Sequence, residues 1–139
     1  MQSLMPMLMP TITRCMTSQP WTIRPDATMA DAHTLMREHR IRHLPVVDDG
    51  RLVGVVSERD LHLMETLPDA TPETISVREA MTEQVYSVSP AEDLADVVEQ
   101  MADHKFGSVI VVEHQRVVGI FTAGDALQVL AEVLRRVTS

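Results

Sequence analysis

The chain repeats itself, and this repeat constrains the fold more than any other feature. Residues 54–60 (GVVSERD) recur 65 positions later as residues 119–125 (GIFTAGD). The same interval, without a gap, pairs Met16 with Met81 and His39 with His104. Two copies of a unit this long do not make a solenoid, in which many short repeats stack. We therefore expect two supersecondary units, each of which needs its twin to cover its apolar face.

Length, charge and cysteine content limit the classes of function. The 139 residues suffice for one compact domain or two small ones sharing a core, and the repeat favours the second. A formal net charge of -8 argues against nucleic acid and anionic membranes as partners, because both attract basic surfaces. Cys15 is the single cysteine, so no internal disulfide is possible. With no secretory leader in the sequence, we expect a reducing, cytoplasmic environment.

The first half of each repeat reads as a short turn, an edge strand and a helix. The shared pattern of an aliphatic residue, three further residues and Met-Thr predicts turns at Ile12–Thr17 and Val77–Thr82, each leading into its own repeat. Short extended segments ending in proline follow, and the residue before proline favours extended geometry. Thr28 and Asp93 then provide N-caps for amphipathic helices. The edge strands are Trp21–Pro25 and Tyr86–Pro90, and the helices end near Arg40 and Lys105.

The second half of each repeat reads as two strands and a closing helix. The strands are nearly continuous in apolar residues, which indicates that both faces are covered. Asp49-Gly50 suits the positive φ angles of a type I′ hairpin. The closing helices begin at Ser57 and Thr122. The predicted strands are Leu44–Val47, Arg51–Val56, Ser108–Val112 and Arg116–Phe121, and the apolar stripe of the last helix is Leu127, Leu130, Val133, Leu134 and Val137.

These elements predict an α/β (α+β) fold of two β-α-β-β-α repeats packed about a pseudo-two-fold axis, with two related clefts between them. We assign residues 1–10 to an N-terminal extension, 11–65 to the first repeat, 66–75 to a proline-containing linker, and 76–139 to the second repeat with its C-terminal helix. The extension is apolar but too short to span a membrane. The exposed apolar stripe of the last helix predicts a homodimer.

The repeated Ser/Thr-x-x-Asp motif has two interpretations. Ser57 with Asp60, and Thr122 with Asp125, have the spacing of a capping box, which by itself explains these residue types. The same helix starts offer free N–H groups and a partial positive charge, and an Asp there can accept hydrogen bonds from the vicinal hydroxyls of a ribose. Gly54 and Gly119 would then let a flat base approach the strand. The sequence leaves both interpretations open.

The doubled Gly-aliphatic-x-Ser/Thr-x-x-Asp pattern, with His43-Leu44-Pro45-Val46-Val47-Asp48 before its first copy, resembles the paired cystathionine β-synthase (CBS) domain, or Bateman module. The resemblance extends from Thr11 to about Leu130. It implies a non-enzymatic regulatory module that binds adenosine compounds in the clefts between its repeats. It also implies a face-to-face dimer of modules.

The resemblance assigns roles to individual residues. Asp60 and Asp125 would bind ribose hydroxyls, Ser57 and Thr122 would lie near ribose or phosphate, and Arg42 and Arg59 would reach phosphate. The sequence does not assign either arginine to the cleft of Asp60 or to the cleft of Asp125. The second repeat has Gly107 and Gly124 at the positions of the two arginines, and Ile110 at the position of Pro45, so the two clefts should not be equivalent. The full predicted ligand-binding set is Thr22, Ile23, Arg42, His43, Leu44, Pro45, Ser57, Arg59, Asp60, Val88, Ser108, Val109, Ile110, Thr122 and Asp125.

We therefore predict a sensor whose regulatory ligand is an adenine nucleotide (AMP, ADP or ATP). We expect the protein to hold no catalytic cofactor and no metal. His39 and His43 have an i, i+4 interval, but the helix is expected to end between them. No histidine is placed as a base for Ser57, so no hydrolase site is expected. The alternatives are the same module binding S-adenosylmethionine, NAD or a cyclic dinucleotide, a ligand-free dimerisation scaffold and, as the weakest, an enzyme that turns over a nucleotide.

Overall fold

The structure is a computed structural model that describes residues 11–138. The N-terminal extension assigned from sequence lies outside the described residues. Within the described range no helix has the length and apolar character needed to cross a membrane. The helices are α1 (Ile12–Cys15), α2 (Met29–His39), α3 (Glu58–Glu65), α4 (Val77–Ala80), α5 (Leu94–His104) and α6 (Ala123–Thr138). The strands are β1 (Thr17–Ser18), β2 (His43–Asp48), β3 (Arg51–Ser57), β4 (Ser87–Val88), β5 (Ser108–Glu113) and β6 (Arg116–Thr122).

The chain divides into two compact units. The repeat-1 unit comprises residues 20–85 and 114–117. It contains the antiparallel hairpin of β2 and β3, with α2, α3 and α4. The repeat-2 unit comprises residues 11–19, 86–113 and 118–138 of the described chain. It contains a four-stranded sheet in the order β1-β6-β5-β4, with α1, α5 and α6.

Helices α2 and α5 begin and end where their sequences predict. Thr28 and Asp31 form a complete capping box at the start of α2, and the Asp93 side chain accepts a hydrogen bond from the backbone N–H of Ala95 at the start of α5. Both helices end at a basic residue with left-handed backbone, Arg40 (φ 54°) and Lys105 (φ 57°). A positive charge there suits the negative end of the helix dipole.

The predicted linker is hydrogen-bonded to the start of α2. The first backbone N–H groups of a helix have no partner within the helix. Here the N–H of Met29 donates to the carbonyl of Ile75 at 2.8 Å, and that of Ala30 donates to the carbonyl of Pro72 at 2.9 Å. The end of the linker therefore satisfies donors that α2 leaves free.

The β2–β3 hairpin has the predicted turn and a well-defined register. Asp49 (φ 51°) and Gly50 (φ 79°) both adopt the positive φ angles that a type I′ turn requires. Asp48 pairs with Arg51 at the turn, and His43 pairs with Ser57 at the open end. Three successive residues of β2, at positions 44–46, are buried, which confirms that this strand is covered on both faces.

The short helices α1 and α4 pack differently from the expectation that each leads into its own repeat. Ile12 of α1 lies in the repeat-2 core with Val97 and Phe121, whereas Val77 of α4 lies in the repeat-1 core. Two residues after the end of each short helix, a threonine also pairs with a strand of the same unit: Thr17 with Ile120 in β6, and Thr82 with Val55 in β3. Each turn thereby covers a hairpin edge that would otherwise expose unpaired backbone groups.

Candidate functional site

In the repeat-1 unit, the start of β2 lies beside the point where β3 ends and α3 begins. His43 at the start of β2 lies opposite Ser57 at the end of β3. The backbone N–H of Glu58, the first residue of α3, donates to the carbonyl of Arg42 at 2.9 Å. This bond brings Arg42 and His43 beside the start of the helix that carries Asp60. Four residues of the predicted ligand-binding set, Arg42, His43, Ser57 and Asp60, therefore lie at this end of the hairpin.

Ser57 and Asp60 form a complete capping box. The Ser57 N–H donates to Asp60 Oδ2 at 2.9 Å, and the Asp60 N–H donates to Ser57 Oγ at 3.1 Å. The capping interpretation is therefore correct. A carboxylate carries about four lone-pair sites, and this cap uses one of them, so Asp60 retains acceptor capacity for a ligand.

The residues predicted to line the base pocket are held by the strand pairing, and most are buried. The N–H of Ile23 donates to the carbonyl of Pro45 at 3.0 Å, and the N–H of Val47 donates to the carbonyl of Ile23 at 2.9 Å. Ile23, Leu44 and Pro45 are buried, whereas Thr22 is exposed. Leu44 and Ile23 belong to the hydrophobic core, so a ligand would meet mainly backbone at these positions.

The repeat-1 site carries two exposed cations and a histidine. Arg42 is 81% exposed and lies 4.0 Å from the Glu58 carboxylate, and Arg59 is also exposed. Burial lowers the pKa of His43 below its ordinary value; the Asp60 carboxylate opposes this shift and Arg42 adds to it. His43 is therefore neutral at pH 7, and the arginines carry the positive charge of this site.

The repeat-2 unit reproduces the same backbone geometry 65 residues later. The Thr122 N–H donates to Asp125 Oδ2 at 2.8 Å, and the Asp125 N–H donates to Thr122 Oγ1 at 3.2 Å. The N–H of Ala123 donates to the carbonyl of Gly107 at 3.0 Å, as Glu58 does to Arg42. The two helix starts are built alike, but Gly107 and Gly124 place no cation at the second one.

The strands beside this second helix start hold the remaining predicted residues. Val88 in β4 pairs with Val111 in β5, and the N–H of Ile110 donates to the carbonyl of Tyr86 at 3.0 Å. Val109 and Ile110 are buried, and Val88 and Ser108 are half-buried. As in the repeat-1 unit, a ligand would contact the backbone of these strand residues more than their side chains.

Gly54 and Gly119 pack against methionines of their own units. A Cβ on Gly54 would lie 2.7 Å from Met81 Sδ and 2.9 Å from the carbonyl oxygen of Thr82, and one on Gly119 would clash with Met16. The expectation that these glycines admit a flat base is therefore wrong. They permit the close approach of the short turns described above.

Cys15 and His39 are two candidate reactive or metal-ligating residues whose surroundings the structure defines. Burial raises the pKa of the Cys15 thiol, and Glu132 and Asp125 raise it further, so the thiol is protonated at pH 7 and a poor nucleophile. Across residues 11–138 no group of three potential metal ligands comes together. His39 instead stacks on Trp21 with ring centroids 3.9 Å apart. The position of Trp21, directly before Thr22, is the sequence signal that could have drawn attention to this pair.

An apolar groove runs between α5 and α6 in the repeat-2 unit. Its volume is about 550 Å³, and Val98, Leu127, Leu130 and Val133 are among its lining residues. The lining includes none of the predicted ligand-binding residues. Helix α6 has no buried residue, and Leu127 is 66% exposed. The groove therefore suits an apolar partner better than a nucleotide.

Comparison with known proteins identifies the family. The family described as "CBS domain" matches this chain twice, over residues 12–63 and 77–132. The chain belongs to the CBS domain family. The CBS domain-containing protein YhcV of Bacillus subtilis is 32% identical over 117 residues, which cover 84% of this chain and 83% of YhcV.

Two solved CBS structures bear on ligands. The CBS domain pair of protein MJ0100, in complex with 5′-methylthioadenosine and S-adenosyl-L-methionine, is 25% identical with a TM-score of 0.81, covering 89% of this chain and 98% of that one. CBSX2 in complex with AMP is 26% identical with a TM-score of 0.77, covering 88% and 97% respectively. Similar CBS pairs thus bind adenosyl compounds, and this chain has the fold of a CBS domain pair.

Proposed function

We propose that this CBS pair is a non-enzymatic sensor that binds an adenine nucleotide at its Ser/Thr-x-x-Asp helix starts and signals occupancy by a conformational change. The observation that carries the proposal is the duplicated helix start, with the Arg42 carbonyl bonded to Glu58 and the Gly107 carbonyl bonded to Ala123. In each copy the Asp is fixed by its capping box yet keeps acceptor capacity. The expected compartment is a reducing cytoplasm.

The chemistry of each helix start fits a nucleoside. The helix N-terminus contributes a partial positive charge and N–H groups that favour anionic or polyhydroxylated groups. The carboxylate of Asp60 or Asp125 is a charged acceptor for two vicinal ribose hydroxyls, and charge-assisted hydrogen bonds are the stronger kind. The MJ0100 and CBSX2 ligands share an adenine base on a ribose ring, and this common part supports an adenosyl ligand here.

Charge distinguishes the adenosyl ligands from one another. Arg42 and Arg59 flank the start of α3, whereas the corresponding positions of the repeat-2 unit are glycines. A phosphate at the repeat-1 site would meet two cations, one of which lies 4.0 Å from the Glu58 carboxylate. We therefore favour AMP, ADP or ATP at this site over S-adenosylmethionine, which has no phosphate. The repeat-2 site offers no such preference.

A thermal-unfolding scan tests the proposal. A ligand that binds only the folded protein, present at 100 times its Kd, stabilises it by about 2.7 kcal/mol. For a chain of this size we expect AMP, ADP or ATP to raise Tm by about 5–15 °C. The panel includes adenosine, NAD, S-adenosylmethionine and cyclic dinucleotides. If folded, ligand-free protein shows no shift with any compound, the sensor proposal fails and a ligand-free scaffold becomes the better account.

The same scan with an Arg42→Ala/Arg59→Ala variant separates a nucleotide from other adenosyl ligands. We expect the affinity for AMP or ATP to fall about tenfold, because exposed charge-assisted contacts to phosphate are lost. Affinity for adenosine should change little. Arg51→Ala is the matched control, since Arg51 is exposed but lies at the hairpin turn, the opposite end of β3 from Ser57. Equal losses for AMP and adenosine would rule out phosphate recognition by these arginines.

A homodimer is a second part of the proposal, supported by the exposed face of α6. Leu130 (50%), Leu134 (52%) and Val137 (52%) expose large apolar side chains on this helix. Contiguous apolar surface of this kind is a common mark of a protein interface. We expect sedimentation velocity to give a dimer for the unmodified chain and a monomer for Leu130→Glu. Dimeric Leu130→Glu protein would exclude this face from the interface. Gln128→Glu, an exposed change on the same helix, is the control.

A further inference from the structure

Trp21 is a large aromatic side chain placed at the surface. Its ring is 54% exposed and stacks on the ring of His39, with centroids 3.9 Å apart and planes 15° apart. The apolar residues assigned to the repeat-1 core do not include Trp21. About half of the residue's surface is therefore open to solvent, while the histidine holds the orientation of the indole.

The chain connects the two rings of the stack to both segments that form the proposed repeat-1 site. Trp21 directly precedes Thr22 and Ile23, and the N–H of Ile23 donates to the carbonyl of Pro45 in β2. His39 is the last residue of α2 and lies three residues before Arg42, whose carbonyl accepts the first N–H of α3. The two rings are thus attached to the segments that position the cations and the helix start.

The corresponding residues of the repeat-2 unit are used differently. Tyr86 and His104 lie 65 positions after Trp21 and His39. Each of these rings lies 5.2 Å from Phe106, and Tyr86 is half-buried and packs against the repeat-2 core. Tyr86 thus contributes to packing, and His104 stacks on Phe106 with planes 23° apart. The stack of an exposed tryptophan on this histidine position is specific to the repeat-1 unit.

We propose that the Trp21–His39 stack is a platform for the purine ring of the ligand bound at the repeat-1 site, and that it sets the preference of this site for purines over pyrimidines. This inference rests on the function proposed above. Bases stack on exposed aromatic rings, and a two-ring purine covers more of an indole than a one-ring pyrimidine does. His39 behind the indole limits its rotation, which lowers the entropy lost when a base stacks.

Fluorescence gives a direct test, because Trp21 is the single tryptophan of the chain. Titration with AMP and, separately, with UMP is followed by tryptophan emission and by isothermal calorimetry. We expect AMP to quench the emission in step with the heat, and UMP to bind at least about tenfold more weakly. In Trp21→Ala, the calorimetric Kd for AMP at this site should rise about tenfold, whereas Trp21→Phe should retain most of the affinity.

Control measurements distinguish a loss of base stacking on Trp21 from a general loss of stability and from a failure of the nucleotide proposal itself. Leu67→Ala removes an apolar side chain of similar exposure (52%) from the loop after α3, and we expect it to leave the AMP affinity unchanged. The platform would be overturned if AMP released heat without changing the tryptophan emission of the unmodified protein, and if Trp21→Ala bound AMP with an unchanged Kd. The nucleotide proposal would then still stand. No heat with any adenine nucleotide would overturn both. An altered sedimentation mass in Trp21→Ala, with AMP affinity retained, would instead assign Trp21 to a protein interface.

Discussion

Asp60→Asn should reduce the affinity of the repeat-1 site for AMP roughly a hundredfold, while the protein stays folded. Two hydrogen bonds to ribose hydroxyls lose their charge assistance, and each is weakened by about 1–1.5 kcal/mol, where 1.4 kcal/mol is tenfold in Kd. The carbonyl oxygen of Asn can still accept the N–H of Ser57, so the cap persists. Loss of the charge near the helix N-terminus costs only about 0.3–1 kcal/mol of stability. Calorimetry and thermal unfolding measure the two effects separately.

Asp31→Asn is a closely matched control for this variant. Asp31 occupies the same place in the capping box of α2, where Thr28 N–H donates to Asp31 Oδ2 at 3.1 Å and Asp31 N–H donates to Thr28 Oγ1 at 3.1 Å. It is absent from the proposed site. The two variants should lose similar stability, and Asp60→Asn should additionally lose AMP affinity. Equal AMP affinity in both variants would show that Asp60 is a cap and nothing more.

Leu61→Ala should destabilise the protein by about 2–5 kcal/mol, the cost of truncating a fully buried leucine. Leu61 is 0% exposed in the repeat-1 core, one residue after Asp60. For a chain of this size, we expect Tm to fall by about 10 °C or more. Because the same side chain anchors α3 to the core, AMP affinity at the repeat-1 site should fall as well.

Leu63→Ala makes the identical chemical change on the same helix at a position that is 59% exposed. Both substitutions alter helix propensity equally, so their difference reports burial alone. We expect Leu63→Ala to change the free energy of unfolding by no more than about 0.5 kcal/mol. Urea unfolding of the pair measures this difference. Similar losses in both variants would mean that Leu61 does not anchor α3.

Local features of the chain were predictable because local physics decides them. The capping boxes follow from the hydrogen-bonding reach of a short side chain over three residues, and the structure has them at Thr28 and Ser57. The β2–β3 turn follows from the positive φ angles that Asp49 and Gly50 tolerate. The aliphatic stripe of α6 follows from the helix period, and four of its five residues, Leu127, Leu130, Leu134 and Val137, are exposed.

The sequence predicted the local geometry of the proposed site better than the surroundings of each side chain. The Ser/Thr-x-x-Asp motif locates both helix starts, and the structure gives them equivalent backbone bonds. Leu44 and Ile23 proved to be core residues, because a strand residue can face either the ligand or the core, and sequence alone does not say which. The same ambiguity affected Gly54, whose missing side chain makes room for Met81. The sequence predicted Trp21 only as part of an edge strand, because its stacking partner His39 comes from another segment of the chain.

The sequence by itself determined that there are two units, where their helices begin, and that they differ in charge at Arg42 and Arg59. Only the tertiary structure decided which core receives each short helix. Ile12 packs with repeat 2 and Val77 with repeat 1. The physical reason is that the repeats offer similar apolar pockets and similar strand edges. Local pattern cannot choose between two equivalent partners, and the choice depends on contacts that exist only after the chain has folded.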